Sequence, residues 1–336
     1  MLNISKLQFT IEFLDPGAPA GFWGGRLRGI YGNALLMGCC DHGPMADYRQ
    51  CPAFTTCPYP FLFESTIEAR RVTQKLEAPL GGNRLPPPFV LQAPFLSRPA
   101  RAGDLLSFNM ISMGEACLMN SGVVNCLSAY GAAGVNNPRA DNRIRYRLTD
   151  VRDLLDGGRP VFGGVSGGPI IANAGELAAA EDGHDRIPAE LTIEFLTPTR
   201  IINKNAPALD DLSRASLLTD FHNLVLNLCN RIGGLWQLYG KDWPGQAEFY
   251  RWRDRVLKMS RGVITVETNL APFTDHFGSA LTHRSARQGA SRDLTGFVGT
   301  MRFAGDFTEF LTLLRIGELV HIGNDTSSGL GQYRVA

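Results

Sequence analysis

At 336 residues, 44% of them hydrophobic and 19% charged, the chain has the length of two ordinary domains and the composition of a globular protein. A formal net charge of +1 gives no global field toward nucleic acid, so any RNA or DNA surface must be a local basic patch. No apolar run approaches the ~20 residues of a membrane span, the first residues lack the pattern of a signal peptide, and seven cysteines in mostly apolar settings favour reduced thiols; the expectation is a cytoplasmic protein without a membrane partner.

Lys6 to Leu14 alternates apolar and polar residues and predicts a strand, ended by Pro16, Gly17 and Pro19. Gly25 to Met37 carries Leu27, Ile30, Tyr31, Ala34 and Leu35 at helical spacing, with Arg26 and Arg28 near the end where a helix dipole favours an anion. Residues 39–64 form a cysteine- and proline-rich insertion, and Gly81 to Pro88 a loop. Phe89 to Ala93 and Asp104 to Ser112 predict paired strands, Glu115 to Tyr130 a helix, and Ile144 to Thr149 a strand. The run is β-α-β-β-α-β, the ferredoxin-like (RRM-like) pattern.

The Gly/Ala-rich stretch Arg159 to Asp185 predicts a link between domains 1–155 and 186–336. The same pattern then recurs: a strand over Ala189 to Leu196, a long helix within Leu212 to Tyr239, a strand over Gly296 to Phe303, a helix over Phe307 to Val320 and a closing strand over Gln332 to Val335. The fold class expected is α+β, two tandem ferredoxin-like domains.

Between the last helix and strand lies a loop with glycines at 323, 329 and 331 and polar residues, Asn324 and Ser328 among them, in the gap. Glycine permits positive φ and close backbone approach, and consecutive N–H groups in such a turn suit anions. The order helix, loop, strand is the reverse of a nucleotide-binding loop, and no Lys-Ser/Thr pair follows. The loop reads either as a backbone clamp for phosphates or as a tight connection. On the first reading, valine at 329 and 331 removes RNA binding and leaves the fold intact.

Two basic clusters stand out: Arg284, Arg287 and Arg292 with Ser285 and Gln288 among them, and Arg139, Arg143, Arg145 and Arg147. Alternation puts 143, 145 and 147 on one strand face, which either meets phosphate or faces solvent. Cys40, His42, Cys51 and Cys57 offer four N and S donors for a structural zinc, at spacings unlike ordinary zinc patterns; the other reading is small buried thiols.

Several segments together resemble one family. Arg26-Leu-Arg-Gly-Ile-Tyr-Gly-Asn33, Cys51-Pro-Ala-Phe-Thr-Thr-Cys57-Pro-Tyr59 with Leu62-Phe-Glu64, Phe195-Leu-Thr-Pro-Thr-Arg200, Ser285-Ala-Arg-Gln288 before Gly296-Phe-Val-Gly299, and the terminal glycine loop follow one another in order from residue 5 to 335. They resemble the CRISPR-associated pre-crRNA-processing endoribonucleases of the RAMP superfamily, in the bacterial branch with a cysteine-bearing insertion. The resemblance implies repeat-RNA binding and metal-independent cleavage by 2′-OH attack, leaving a 2′,3′-cyclic phosphate and a 5′-hydroxyl. It implies retention of the crRNA, other Cas proteins of an effector complex as partners, and no cofactor required for catalysis. The family's base is often a histidine in the first helix; here that position is Asn33, which moves no proton at neutral pH. Arg26, Arg28, Tyr31 and His42 are the remaining catalytic candidates, with Tyr31 either catalyst or core. A non-catalytic RAMP RNA-binding subunit is the alternative. A small-molecule enzyme with a phosphate loop is a third reading, against which the reversed loop order counts.

Overall fold

A computed structural model describes residues 2–42, 48–64, 85–136, 143–162, 168–181, 188–201, 220–273, 282–284, 291–293 and 296–336; at 136, 179–181, 282–284 and 291–293 it describes the backbone alone. The chain divides into two compact units, Asn3–Ala172 and Asn173–Ala336 with Met1–Leu2.

In the first unit the elements are β1 (Asn3–Phe13), α1 (Gly24–Cys39), α2 (Pro58–Phe63), β2 (Phe89–Gln92), β3 (Leu105–Met113), α3 (Asn120–Ala133) and β4 (Tyr146–Asp153). The sheet runs β2-β3-β1-β4, all antiparallel, and the short strand Arg159–Pro160 extends it beyond β4. Strand alternation sends Leu7, Phe9, Ile11 and Phe13 inward. Phe9 stands opposite Phe108 in register, and their rings stack at 5.3 Å. α1 and α3 pack against each other: Gly38 lets Cys126 Sγ approach to 2.6 Å of where a Cβ would sit, and Cys39 Sγ lies 3.0 Å from Cys126 Sγ. One buried polar set joins sheet to helix. Asn120 Nδ2 donates to Ser5 Oγ at 2.5 Å and Asn120 Oδ1 accepts from Ser112 Oγ at 2.9 Å, so none of the three leaves an expensive unmet group.

The second unit repeats the plan with α4 (Ala174–Glu181), β5 (Glu190–Thr199), α5 (Phe221–Tyr239), α6 (Gln246–Ser260), β6 (Ile264–Pro272), β7 (Phe297–Ala304), α7 (Leu311–Val320) and β8 (Tyr333–Val335). Its sheet order, β6-β7-β5-β8, is the same as in the first unit once strands are counted from the start of each. Asp220 caps α5 by accepting from the His222 amide at 2.8 Å. The wide apolar face of α5 buries Phe221, Leu224, Val225, Leu228 and Leu235. Tyr333 is wholly buried, its hydroxyl donating to Leu314 O at 2.6 Å, and Gly317 leaves the room it needs.

Both units are thus ferredoxin-like, as the sequence pattern predicts. Four elements were not foreseen: α2, α4, α6 and β6. The stretch 159–185, expected to be a plain link, instead contributes a sheet-edge strand and α4. The expected start of the long helix near Leu212 falls outside the described residues, as does the first half of the loop from Gly81 to Pro88. Among the described residues, no helix is long and apolar enough to cross a membrane.

Candidate functional site

The first unit presents the outward face of α1. Leu27, Ile30, Tyr31, Ala34 and Leu35 point into the core, which leaves Arg26, Gly29, Asn33 and Met37, at spacings of three and four, on the other side. Gly29, Asn33 and Met37 are exposed and Arg26 half-buried. Nothing lies within 4 Å of a Cβ built on Gly29, so a ligand can approach the backbone there. The Arg26 guanidinium lies 5.7 Å from the Trp23 ring centre, and its Nη1 donates weakly to Phe22 O at 3.4 Å.

Tyr31 is a different case. It is 3% exposed, with Phe63 and Phe89 packed edge-on at 5.2 and 5.0 Å, and burial pushes its phenol well above the ordinary tyrosine range. A phenol held neutral in an aromatic core does not deprotonate a 2′-OH, so the catalytic role expected of Tyr31 is corrected to packing. Tyr31→Phe is therefore expected to cleave or bind RNA at the wild-type rate and affinity; a tenfold loss of either would return Tyr31 to the site.

The cysteine insertion buttresses this helix. Tyr48 lies 4.8 Å from Tyr59, Tyr59 stacks on Phe63 at 5.2 Å, and Phe63 lies under the Arg28 guanidinium at 4.9 Å. Gly32 lets α2 come this close: a Cβ there would sit 3.3 Å from the Phe63 ring. Arg28 is thereby turned to the flank of α1, over Phe63, rather than set beside Arg26. His42 is exposed in a turn just past the helix.

Of the four expected zinc donors, three converge. Burial is the main cause that raises the Cys57 thiol's pKa, and the neighbouring thiols of Cys40 and Cys51 add to it. Cys51 and Cys57 are buried. Among the described residues, however, no three His, Cys, Asp or Glu side chains are arranged to hold a metal ion. The set Cys40, His42, Cys51 and Cys57 does not fit zinc as it stands, and packing of the insertion is accounted for by its rings.

The strand-face arginines are exposed in the expected alternation but are already engaged. Arg145 forms a two-pronged pair with Asp15, both at 2.9 Å, and holds that carboxyl's pKa down at about 2. Arg147 meets Glu12 at 2.6 Å, and Arg143 donates to Ala133 O at 3.1 Å. Arg143 and Arg145, expected to meet phosphate, make these contacts within the unit. Arg139, Ser285, Arg287 and Gln288 lie outside the described residues; Arg284 and Arg292 sit in a two-stranded ribbon, Thr282–Arg284 with Ser291–Asp293, described by its backbone only.

The second unit presents the glycine loop. Gly323, Gly329 and Gly331 all have positive φ, at 80°, 85° and 72°. The loop is tied to the end of β5. Gly331 N donates to Pro198 O, Asn324 N to Arg200 O, and Thr197 Oγ1 donates to Gly329 O while accepting from Gln332 N. The Thr197–Arg200 segment and the glycine loop, distant in sequence, are one assembly. Ser328 N and Gly329 N close the short turn on Asp325 O and Thr326 O. The amides of Asn324, Ser328, Gly329 and Gly331 are therefore spent within the chain, and Ser328, Gly329 and Gly331 are buried. The glycines expected as a backbone clamp serve close packing here, and the part of the loop that reaches the surface is Gly323 to Asp325.

One arginine braces this loop and was not foreseen. Arg231 Nη2, from α5, donates to Val320 O at 3.0 Å and to Thr326 Oγ1 at 2.8 Å, so a single guanidinium holds both ends of residues 321–325. Burial lowers its pKa to about 10, and among the described residues no carboxylate pairs with it. The Val320 carbonyl ends α7, where the helix dipole favours a cation. A charged residue inside the otherwise apolar face of Leu212 to Tyr239 was the sequence signal.

Residues 2–174 match the AF_1859_N family model, an N-terminal domain, and residues 193–333 match the model of the CRISPR-associated endoribonuclease Cas6. A protein of Archaeoglobus fulgidus with no assigned function is 24% identical over 339 residues, covering 99% of this chain and 98% of that one. Among solved structures, a chain of a partial Cas6-RT-Cas1–Cas2 complex aligns over 100% of this chain at 13% identity with a TM-score of 0.57; this chain spans 46% of its length. A Cas6 product complex aligns over 99% of this chain and 100% of its own at 15% identity, TM-score 0.51. The chain belongs to the family that the AF_1859_N model describes, and its second unit is similar to the CRISPR-associated endoribonuclease Cas6 model.

Proposed function

We propose that this chain binds CRISPR repeat RNA, cuts it without metal and retains the product for other Cas proteins of an effector complex. The cut is an in-line attack of a 2′-OH on the adjacent phosphorus, leaving a 2′,3′-cyclic phosphate and a 5′-hydroxyl. The observation that carries this reading is the outward face of α1, where Arg26 and Asn33 share one side two turns apart beside the open backbone of Gly29. A guanidinium there donates hydrogen bonds to the charged phosphorane, and the Asn33 amide orients a hydroxyl without taking its proton. Much of the acceleration then comes from holding the nucleotide in line. His42, exposed beyond the helix, is the reserve proton carrier, outside the face that carries this reading.

A second reading is favoured by one observation. With Asn33 on its exposed face and Tyr31 in the core, α1 offers no group that titrates near neutrality. On that reading the chain is an RNA-binding subunit that does not cut. Incubation with repeat RNA in EDTA separates the two. Fragments ending in a cyclic phosphate are expected, and their absence on a repeat carrying a 2′-deoxy at the cut site confirms the nucleophile. Bound but intact RNA selects the second reading, and no binding rejects both.

A further inference from the structure

α6 is a cationic helix whose outer face meets no carboxylate among the described residues. Over Gln246–Ser260 it carries four cations, Arg251, Arg253, Arg255 and Lys258, against two carboxylates, Glu248 and Asp254. Arg251, Arg255 and Lys258, at intervals of four and three, form one stripe about 10 Å long at 1.5 Å per residue. All three are exposed, and among the described residues none has a carboxylate partner. Six arginines elsewhere behave otherwise: the exposed Arg98, Arg145, Arg147, Arg152 and Arg334 and the half-buried Arg302 each face a carboxylate within 3.1 Å. In a chain of net charge +1, three unpaired cations on one helix face are a concentrated local field.

The helix is held rigidly. Phe249 and Val256 turn inward, and Phe249 lies so close to Gly233 of α5 that any Cβ there would strike its ring. At the other end His222 Nδ1 meets Ser260 Oγ at 2.9 Å. Two half-exposed rings, Tyr250 and Trp252, flank the stripe, and the Arg253 guanidinium already lies 4.4 Å over Tyr250.

We propose that this face of α6 binds the phosphate backbone of the RNA, with Arg251, Arg255 and Lys258 on successive phosphates. The proposal rests on the RNA-binding reading above. Forked, permanently charged donors suit phosphate oxygens, and flat rings beside them suit stacking of a base. An acidic protein surface would also match the charge but would leave the rings unused.

The test is filter binding of CRISPR repeat RNA across a salt series, with wild type and R251Q/R255Q/K258Q. Each neutralised single-strand phosphate contributes about 0.7 to the slope of log K against log salt. The triple variant is expected to lose about 2 from that slope and to bind roughly tenfold or more weakly at moderate salt, with an unchanged melting temperature. R251K/R255K, which keeps the charges, should keep the slope. Arg152→Gln, a paired arginine of the first unit, should keep it too. A triple variant with wild-type slope and affinity overturns the proposal and leaves the face to solvent or a protein partner. An equal loss in Arg152→Gln also overturns it, since the effect is then one of total charge. A wild type that binds no repeat RNA at any salt defeats the RNA-binding reading itself, a different result from a wild type that binds with a slope the triple variant shares.

Discussion

Gly331→Val is expected to destabilise the second unit rather than merely blind it to RNA. A Cβ at Gly331 would fall inside the carbonyl oxygen of Ile322, which is itself fixed because Ile322 N donates to Gly331 O. The residue also has φ of 72°, which a β-branched side chain scarcely adopts. Left-handed strain costs of order 1–3 kcal/mol, and forcing atoms into a filled core a further 1–3 kcal/mol. Together, about 4 kcal/mol corresponds to a fall of roughly 10 °C in melting temperature for a unit of this size. Moving the loop to relieve the clash would break the Gly331 bond to Pro198 O and displace Arg231 from Val320 and Thr326. Thermal unfolding by circular dichroism decides the matter: a variant that melts with the wild type and loses only RNA affinity would restore the loop as an open phosphate clamp. The simple expectation from glycine spacing, an intact fold without RNA binding, is the opposite outcome.

The difference shows where sequence reasoning reaches and where it stops. Alternation in Asn3–Phe13 and helical spacing in Gly24–Cys39 are local patterns, so the first β-α-β-β-α-β run was legible whole and the second in all but one of its strands. α6 was not, because a two-helix layer needs few apolar residues from its outer member: Phe249 and Val256 are the only buried apolar side chains in it. β6 escaped because it is an edge strand largely exposed on both faces, with no alternation to read. The site was harder for a physical reason, which is that charge is cancelled at long range. Asp15 and Glu12 reach Arg145 and Arg147 across 130 and 135 residues of sequence, and nothing in Arg143-Ile-Arg-Tyr-Arg147 announces them. The glycines of the last loop mislead in the same way. Their purpose is set by the carbonyls of Ile322 and Arg200, which only the fold brings near. Tyr31 was legible in part, since its spacing with Leu27 and Leu35 already placed it on the apolar side of α1.

Arg26→Ala is expected to slow single-turnover cleavage by about 10²–10³, the usual loss when one donor to a developing oxyanion is removed. Arg28→Ala should cost far less, because that guanidinium is occupied over Phe63 at the flank of the helix. The contrast follows from helical geometry: Arg26 is seven residues from Asn33 and on its face, whereas Arg28 is five residues away and turned aside. Placing a histidine at Asn33 adds the one thing that face lacks, a group that accepts a proton at neutral pH. General-base catalysis contributes about 10²–10⁴, so Asn33→His should accelerate the cut within that range. The pH profiles carry the sign. A free imidazole must be neutral to act as base, so the variant's rate should rise with pH and level off above about pH 6.5. In the wild type no neutral-range titration on α1 governs the rate, and Tyr31 cannot supply one because burial drives its phenol still further from neutrality. Its rate should climb with hydroxide concentration and show no plateau near neutrality. A wild-type plateau near neutral pH that disappears in His42→Ala would make His42 the working base. Equal rates for Arg26→Ala and wild type would move the active site off α1 altogether.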